Sequence, residues 1–297
     1  MLRATWNDLP DSVHAATEAV FGPDMVEDIP GGLMPGLACH LHGCHSGDVF
    51  LKGVDLDSPA ASLYLTERDA NGHLPRGVPA PRLLWTAELD GWVLLAFPFL
   101  DGRSADLHPG SPDLPAIGDL LRGLGKVMTS CTWPEAPPVT SRIDGLFEKA
   151  HRLLGRTDLD VPDLDLYAAA LNALPADAFD GDSLLHYDLH SGNIRMTADG
   201  PQILDWAFAC QGAPWIDAAM VVPRLIEAGH SPARAEALVA EMPAWETAPP
   251  NAVAGLAALW SLFREYKARL GPKDQRPHRA RAAAAGRTWL TYRTDHP

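Results

Sequence analysis

Leu184-Leu-His-Tyr-Asp188-Leu-His-Ser-Gly-Asn193-Ile-Arg-Met196, then Thr197-Ala-Asp-Gly200 and Pro201-Gln-Ile-Leu-Asp205-Trp206, is the stretch that decides how this chain is read. Two short apolar runs flank a turn, with Asp188 and Asn193 before the first run and Asp205 closing the second. A hairpin of that length folds Asp205 back beside Asn193 and Asp188. Two carboxylates and an amide oxygen converging at a hairpin mouth make a hard-oxygen site, which suits Mg²⁺ better than zinc. One carboxylate is left to accept a proton from a hydroxyl nucleophile. Turn chemistry alone also selects Asp, Ser, Gly and Asn. The His two residues before Asp188, the five-residue step to Asn193 and the apolar-Asp-Trp twelve residues further on do not arise easily together.

The rest of the chain supplies a frame for that stretch. Its 297 residues are 46% hydrophobic and 21% charged, ordinary globular composition and enough to bury a full core. Asp11 to Phe21 reads as a short helix stopped by Gly22-Pro23. From Gly31 to about Leu100, four short runs read as strands of a small antiparallel sheet: Leu37 to Leu41, Val49 to Val54, Arg82 to Thr86 and Trp92 to Phe97. Ala60 to Ala70 reads as a helix between them. After Gly102 the chain turns helical, with apolar positions at helical spacing in 117–128, 164–174 and 256–270. The expected fold class is therefore α+β, a small β-rich half joined to a larger helical half.

The arrangement His-x-Asp-x-x-x-x-Asn followed by an apolar pair and Asp is the catalytic-loop pattern of kinase-like phosphotransferases. The form here closely resembles the aminoglycoside phosphotransferase family of small-molecule kinases, from Gly31 through Asp217. The resemblance implies a protein-kinase-like bilobal fold: a nucleotide-binding lobe over 1–97, a hinge at 98–102 and a helical lobe over 103–297. It implies Asp188 as catalytic base and Asn193 and Asp205 as Mg²⁺ ligands, with His186 bracing the loop. Tyr187 departs from the family's usual glycine. Asp217, in a short Gly-x-Pro-x-x-Asp segment, corresponds to a structural carboxylate that pins the catalytic loop. No long activation segment ending in Ala-Pro-Glu follows Asp205, which sets the chain apart from regulated protein kinases.

For the nucleotide (ATP or GTP), Lys52 is a single cation inside the apolar run Val49-Phe-Leu-Lys-Gly-Val and needs a partner if buried. The family places such a lysine on the α- and β-phosphates, oriented by a helix glutamate, and Glu67 is the choice here. Gly31-Gly32-Leu-Met-Pro-Gly36 resembles the phosphate-covering loop, implicating Gly32 and Gly36. Phe97-Pro98-Phe-Leu100-Asp-Gly102 resembles the adenine-docking connector, in which Pro98 offers its carbonyl and Leu100 its N–H. Cys39-His-Leu-His-Gly-Cys-His45 has the look of a metal cluster. On a strand, however, its ligands divide between two faces and cannot close a tetrahedral zinc site by themselves.

Charge bears on the partner. The chain carries 24 Lys+Arg against 38 Asp+Glu, formally −14, so phosphate-backbone binding and a nucleic-acid partner are not expected. No apolar run reaches the roughly 18 residues of a membrane span, and four cysteines make no disulfide framework, so a cytoplasmic monomer or dimer is the expectation. Yet residues 251–297 hold nine basic and three acidic side chains. If that tail borders the acceptor site it repels a polycationic aminoglycoside. The expected acceptor is then a neutral or weakly charged hydroxylated natural product, such as an antibiotic, in a resistance or self-protection role. A metabolic kinase acting on choline, homoserine or a sugar, and a non-catalytic nucleotide-binding regulator, are the rival readings. A dead regulator is expected to lack one of Lys52, Asp188, Asn193 or Asp205, and all four are present.

Overall fold

The computed structural model describes residues 4–30 and 35–296. The chain divides into two compact units, one holding residues up to 103 together with 195–209, the other holding 104–194 and 210–297.

The first unit starts with α1 (Asp11–Phe21) and continues through β1 (Met25–Asp28), β2 (Leu37–His42) and β3 (Val49–Asp55). Helix α2 (Ala61–His73), β4 (Trp85–Leu89) and β5 (Trp92–Pro98) follow. The strands form one antiparallel sheet in the order β1-β2-β3-β5-β4. Period-two alternation sends Leu37, Cys39, Leu41, Val49, Leu51, Leu94 and Ala96 into a core with Val13 and Phe21 of α1. The other parity sends Val54, Val93, Leu95 and Phe97 into a second core with Ala61 and Tyr64 of α2. Lys52 belongs to this second parity and so emerges on the α2 face. Strand β4 begins at Trp85, three residues later than the Arg82–Thr86 run suggested. The reason is local: Arg82 donates to the carbonyls of Leu74 and Pro75, and the Leu83 N–H donates to Asn71 Oδ1, so this stretch caps the end of α2.

The second unit is mostly helical. After the short β6 (Arg103–Ser104) come α3 (Leu114–Val127), α4 (Thr140–Leu154) and α5 (Leu164–Asn172). Strand β7 (Ser183–Leu185) leads into the key stretch, whose anticipated hairpin, β8 (Ile194–Thr197) and β9 (Gly200–Ile203), belongs from Arg195 onward to the first unit. Then follow β10 (Cys210–Gly212), α6 (Ile216–Glu227), α7 (Pro232–Val239), α8 (Pro250–Leu270) and α9 (Arg276–Asp295). Strand β10 pairs antiparallel with β7 and so ties the start of the catalytic-type loop to the segment after it. Helix α8 is apolar nearly all round, and Ala252, Leu256, Leu259, Trp260 and Leu262 are buried. Ser261 on α8 hydrogen-bonds the Tyr167 hydroxyl at 2.8 Å and donates to the Ala283 carbonyl at 2.9 Å, joining α5, α8 and α9.

Candidate active site

In the first unit, Lys52 and Glu67 meet in a direct ion pair between β3 and α2. Glu67 is 3% exposed. Asp205 Oδ1 lies 3.7 Å from Lys52 Nζ, and the rings of Tyr64 and Phe97 stand 5.7 and 5.8 Å from the same nitrogen. Burial alone pushes the Lys52 ammonium toward neutrality, but the charges of Glu67 and Asp205 outweigh it and hold the lysine protonated. Glu67 is pushed up by burial to about 7, against the pull of Lys52. The Trp206 backbone amide also bonds Glu67, which fastens the turn after Asp205 to α2. Asp205 sits at φ +61°. This left-handed corner leaves its side chain exposed beside Lys52.

Gly36 has φ +115°, and a Cβ there would stand 2.3 Å from the Gly53 carbonyl and 2.8 Å from the Tyr64 hydroxyl, so only glycine fits. Tyr64 donates to the Pro35 carbonyl at 3.0 Å, clamping the end of the Gly-rich loop to α2. Gly32 lies outside the described residues. At the connector, Pro98 closes β5 opposite Val49. The Leu100 carbonyl accepts from Arg195, whereas its N–H makes no hydrogen bond to any described residue.

The Cys39–His45 run turns out to be divided. Cys39 points into the α1 core, with its thiol against Asp28. His40 and His42 lie on the Lys52 face, their ligand atoms and that of Glu27 all within 4.8 Å of one another. Carboxylates hold both rings: Asp48 takes His40 at 2.8 Å and Glu27 takes His42 at 3.2 Å. His40 also stacks on Phe99 of the connector, ring centroids 3.5 Å apart.

In the second unit, the loop after β7 is built around Asp217. Its buried carboxylate accepts the N–H groups of His186 (2.8 Å) and Tyr187 (2.7 Å). Burial raises this carboxyl, and the neighbouring His186 ring and the two amides only partly offset it. The loop bends at Tyr187, whose φ of +69° is left-handed and explains why glycine is usual at that position. His186, fully buried, accepts the Asp188 N–H on Nδ1. The Asn193 side chain donates to the Asp188 carbonyl at 2.9 Å, which leaves its own amide oxygen as an acceptor.

The Asp188 carboxylate stands at this bend with its side chain 28% exposed. Burial pushes it up, but the His190 ring at 3.6 Å and the Arg224 guanidinium at 3.1 Å pull harder and hold it below the usual carboxylate range. Arg224 on α6 touches it, Trp260 and Arg264 on α8 lie against Arg224, and Arg279 on α9 acts on both arginines. Motif reading passed over these residues, though Arg264 and Arg279 belong to the basic tail and Arg224 and Arg264, like Lys52, interrupt apolar runs.

A five-stranded antiparallel sheet with a lysine–glutamate pair between β3 and α2, and a helical unit carrying a His-x-Asp loop pinned by a second aspartate, define a protein-kinase-like fold. The chain belongs to the phosphotransferase enzyme family (APH), whose sequence model matches residues 40–285. No curated protein matches it significantly. Among solved structures it is similar to a putative aminoglycoside phosphotransferase from Ralstonia eutropha, with TM-score 0.66 and 14% identity, covering 96% of this chain and 98% of that one. It is also similar to aminoglycoside phosphotransferase APH(4)-Ia with ADP and hygromycin B (TM-score 0.61, 16% identity, 93% and 98% covered). Choline kinase LicA from Streptococcus pneumoniae is a third (TM-score 0.63, 14% identity, 95% and 98% covered). At these identities the likeness establishes the fold. Family and fold together make the chain a small-molecule phosphotransferase.

Proposed function

We propose that the protein transfers the γ-phosphoryl group of ATP or GTP to a hydroxyl of a small natural product, with Asp188 as catalytic base. The observation that carries this reading is the ionised Asp188 carboxylate on a loop fixed by Asp217, His186 and Asn193. A base held in its charged form by fixed neighbours is ready to orient and deprotonate an alcohol. As the acceptor oxygen bonds to the γ-phosphorus, the bond from that phosphorus to the β,γ-bridging oxygen breaks, and the alcohol proton passes to Asp188. The nucleoside diphosphate leaves with the electron pair.

Lys52, held charged by Glu67, steadies the α- and β-phosphates. Gly36 permits close approach of the loop backbone to phosphate, and the bare N–H of Leu100 with the Pro98 carbonyl is suited to the base. Each of the two residues that the resemblance assigns to Mg²⁺ has a hard oxygen to offer: Asn193 keeps an uncommitted amide oxygen and Asp205 an exposed carboxylate. Mg²⁺ held by them would supply positive charge to the transferring phosphates. The relatives named above, one in complex with hygromycin B and one a choline kinase, support a hydroxylated small-molecule acceptor without naming it.

Asp188→Asn is the test. Phosphate transfer, followed by mass spectrometry of products from a panel of hydroxylated antibiotics, should fall by about 10²- to 10⁴-fold, while nucleotide affinity is kept. Undiminished transfer by the variant would remove Asp188 from the role of base.

A further inference from the structure

Arg224 of α6 stands 3.1 Å from Asp188, and two more arginines of the second unit, Arg264 of α8 and Arg279 of α9, lie within electrostatic reach of Arg224. Trp260, one turn before Arg264, offers its ring to two of them, with the guanidinium carbons of Arg224 and Arg264 at 5.3 and 4.8 Å from the ring centroid. Arg264 is 8% exposed, and the Arg224 side chain 11%.

Charge compensation is incomplete. Asp188 is engaged by Arg224, and Glu227, the other carboxylate acting on the group, lies 3.5 Å from His278. Neither Arg264 nor Arg279 forms an ion pair with any described carboxylate, and the Nε of each is buried without a hydrogen bond to any described residue. A buried guanidinium without a counter-ion is costly to keep. Burial, with repulsion from Arg224 and Arg279, pushes Arg264 down to about 9, the mark of a cation missing its anion. Its planar fork of N–H donors matches a carboxylate or phosphate.

We propose that Arg224, Arg264 and Arg279 form an anion subsite beside Asp188 that takes an oxyanion, carboxylate or phosphate, carried by the hydroxylated acceptor. The proposal rests on the phosphotransfer reading and deepens it by giving the acceptor a charge. Arg264 and Arg279 thus serve recognition from within the basic tail, and a choline-like or polyamine acceptor meets like charge at the point of transfer.

Calorimetric titration of inorganic phosphate, and separately of acetate, into protein saturated with AMP-PNP and Mg²⁺ at constant ionic strength tests this. Saturable one-to-one binding is expected, weakened about tenfold to a hundredfold in Arg264→Met and in Arg279→Met. Methionine keeps the apolar stem and removes a charge that had no partner. Arg264→Lys, which keeps the charge, should retain binding and covers the case of a methionine variant that fails to fold. Tighter phosphate points to a phosphorylated acceptor and tighter acetate to a carboxylated one, and either supports the subsite. Absence of binding, equal binding by the methionine variants, or binding that disappears when AMP-PNP is present overturns it. The last result would assign the arginines to the nucleotide's own phosphates. Anion binding that persists while Asp188→Asn leaves transfer intact sinks the assigned base and leaves the subsite standing.

Discussion

Tyr187 holds a left-handed backbone angle of +69° with a bulky side chain that is 7% exposed and a hydroxyl that finds no hydrogen-bond partner among the described residues. Both features work against stability, the backbone angle by about 1–2 kcal/mol and the unsatisfied buried hydroxyl by about 1–3 kcal/mol. The loop keeps this geometry because Asp217 takes the amides of His186 and Tyr187 from the other side. Tyr187→Phe retains the packing and discards the orphaned hydroxyl. It should therefore raise the unfolding free energy by about 1 kcal/mol in urea titration, and a loss of stability would mean that the hydroxyl is bonded after all. Asp188 makes a prediction in pH. Its folded-state value is depressed by His190 and Arg224 against burial, so its contribution to stability is present above the usual carboxylate range and disappears as pH falls through the lower, folded value. The stability advantage of the protein over Asp188→Asn should accordingly shrink as pH falls below the ordinary carboxylate value of about 4. A difference constant over that interval would show that the ion pair with Arg224 does not favour the carboxylate.

Among the elements, α8 and α9 approach closely at Gly286, where a Cβ would stand 2.9 Å from both Ser261 Cβ and the Trp260 ring. Gly286→Leu should cost about 1–3 kcal/mol by overpacking, read from the denaturation midpoint. It should also disturb anion binding, because the same Trp260 supports Arg224 and Arg264. Elements whose burial follows one clean period were legible beforehand. Helix α1 is bounded by a glycine turn, and β2, β3 and β5 alternate between two cores. Strand β1 was not legible, since Met25-Val-Glu-Asp is an edge strand with no buried residue and no alternation. Helix α9 was hidden for a related reason: its Arg-Ala run has little apolar contrast and gains its buried face only by packing on α6, α7 and α8. The site divides in the same way. Lys52, Asp188, Asn193 and Asp205 stand out because their chemistry imposes spacings along the chain. Arg224, Arg264 and Arg279 are single cations on three helices, and only the packing of α6, α8 and α9 brings them together.

Considered as a whole, the molecule carries formal charge −14 with a basic final segment, and two arginines of that segment, Arg264 and Arg279, act on the Arg224 that holds Asp188. None of the described helices is long and apolar enough to cross a membrane. The chain leaves its first compact unit at 103, returns to it at 195 and departs again after 209. That return brings Asp205 to Lys52 and the Trp206 amide to Glu67, so the buried pair of the first unit is completed by residues made much later. A protein emerging from the ribosome tends to fold from its N-terminus as units become complete. Here Lys52 and Glu67 are held short of their last partners until more than two thirds of the chain has been synthesised. A fragment ending at residue 103 should therefore show poorly dispersed amide resonances, and fusing 195–209 to it through a flexible linker should restore dispersion. Equal dispersion in both would mean that the sheet and its ion pair are self-sufficient. The Lys52–Glu67 pair of the first unit thus gains its last partners only after the loop that bears Asp188 has been made.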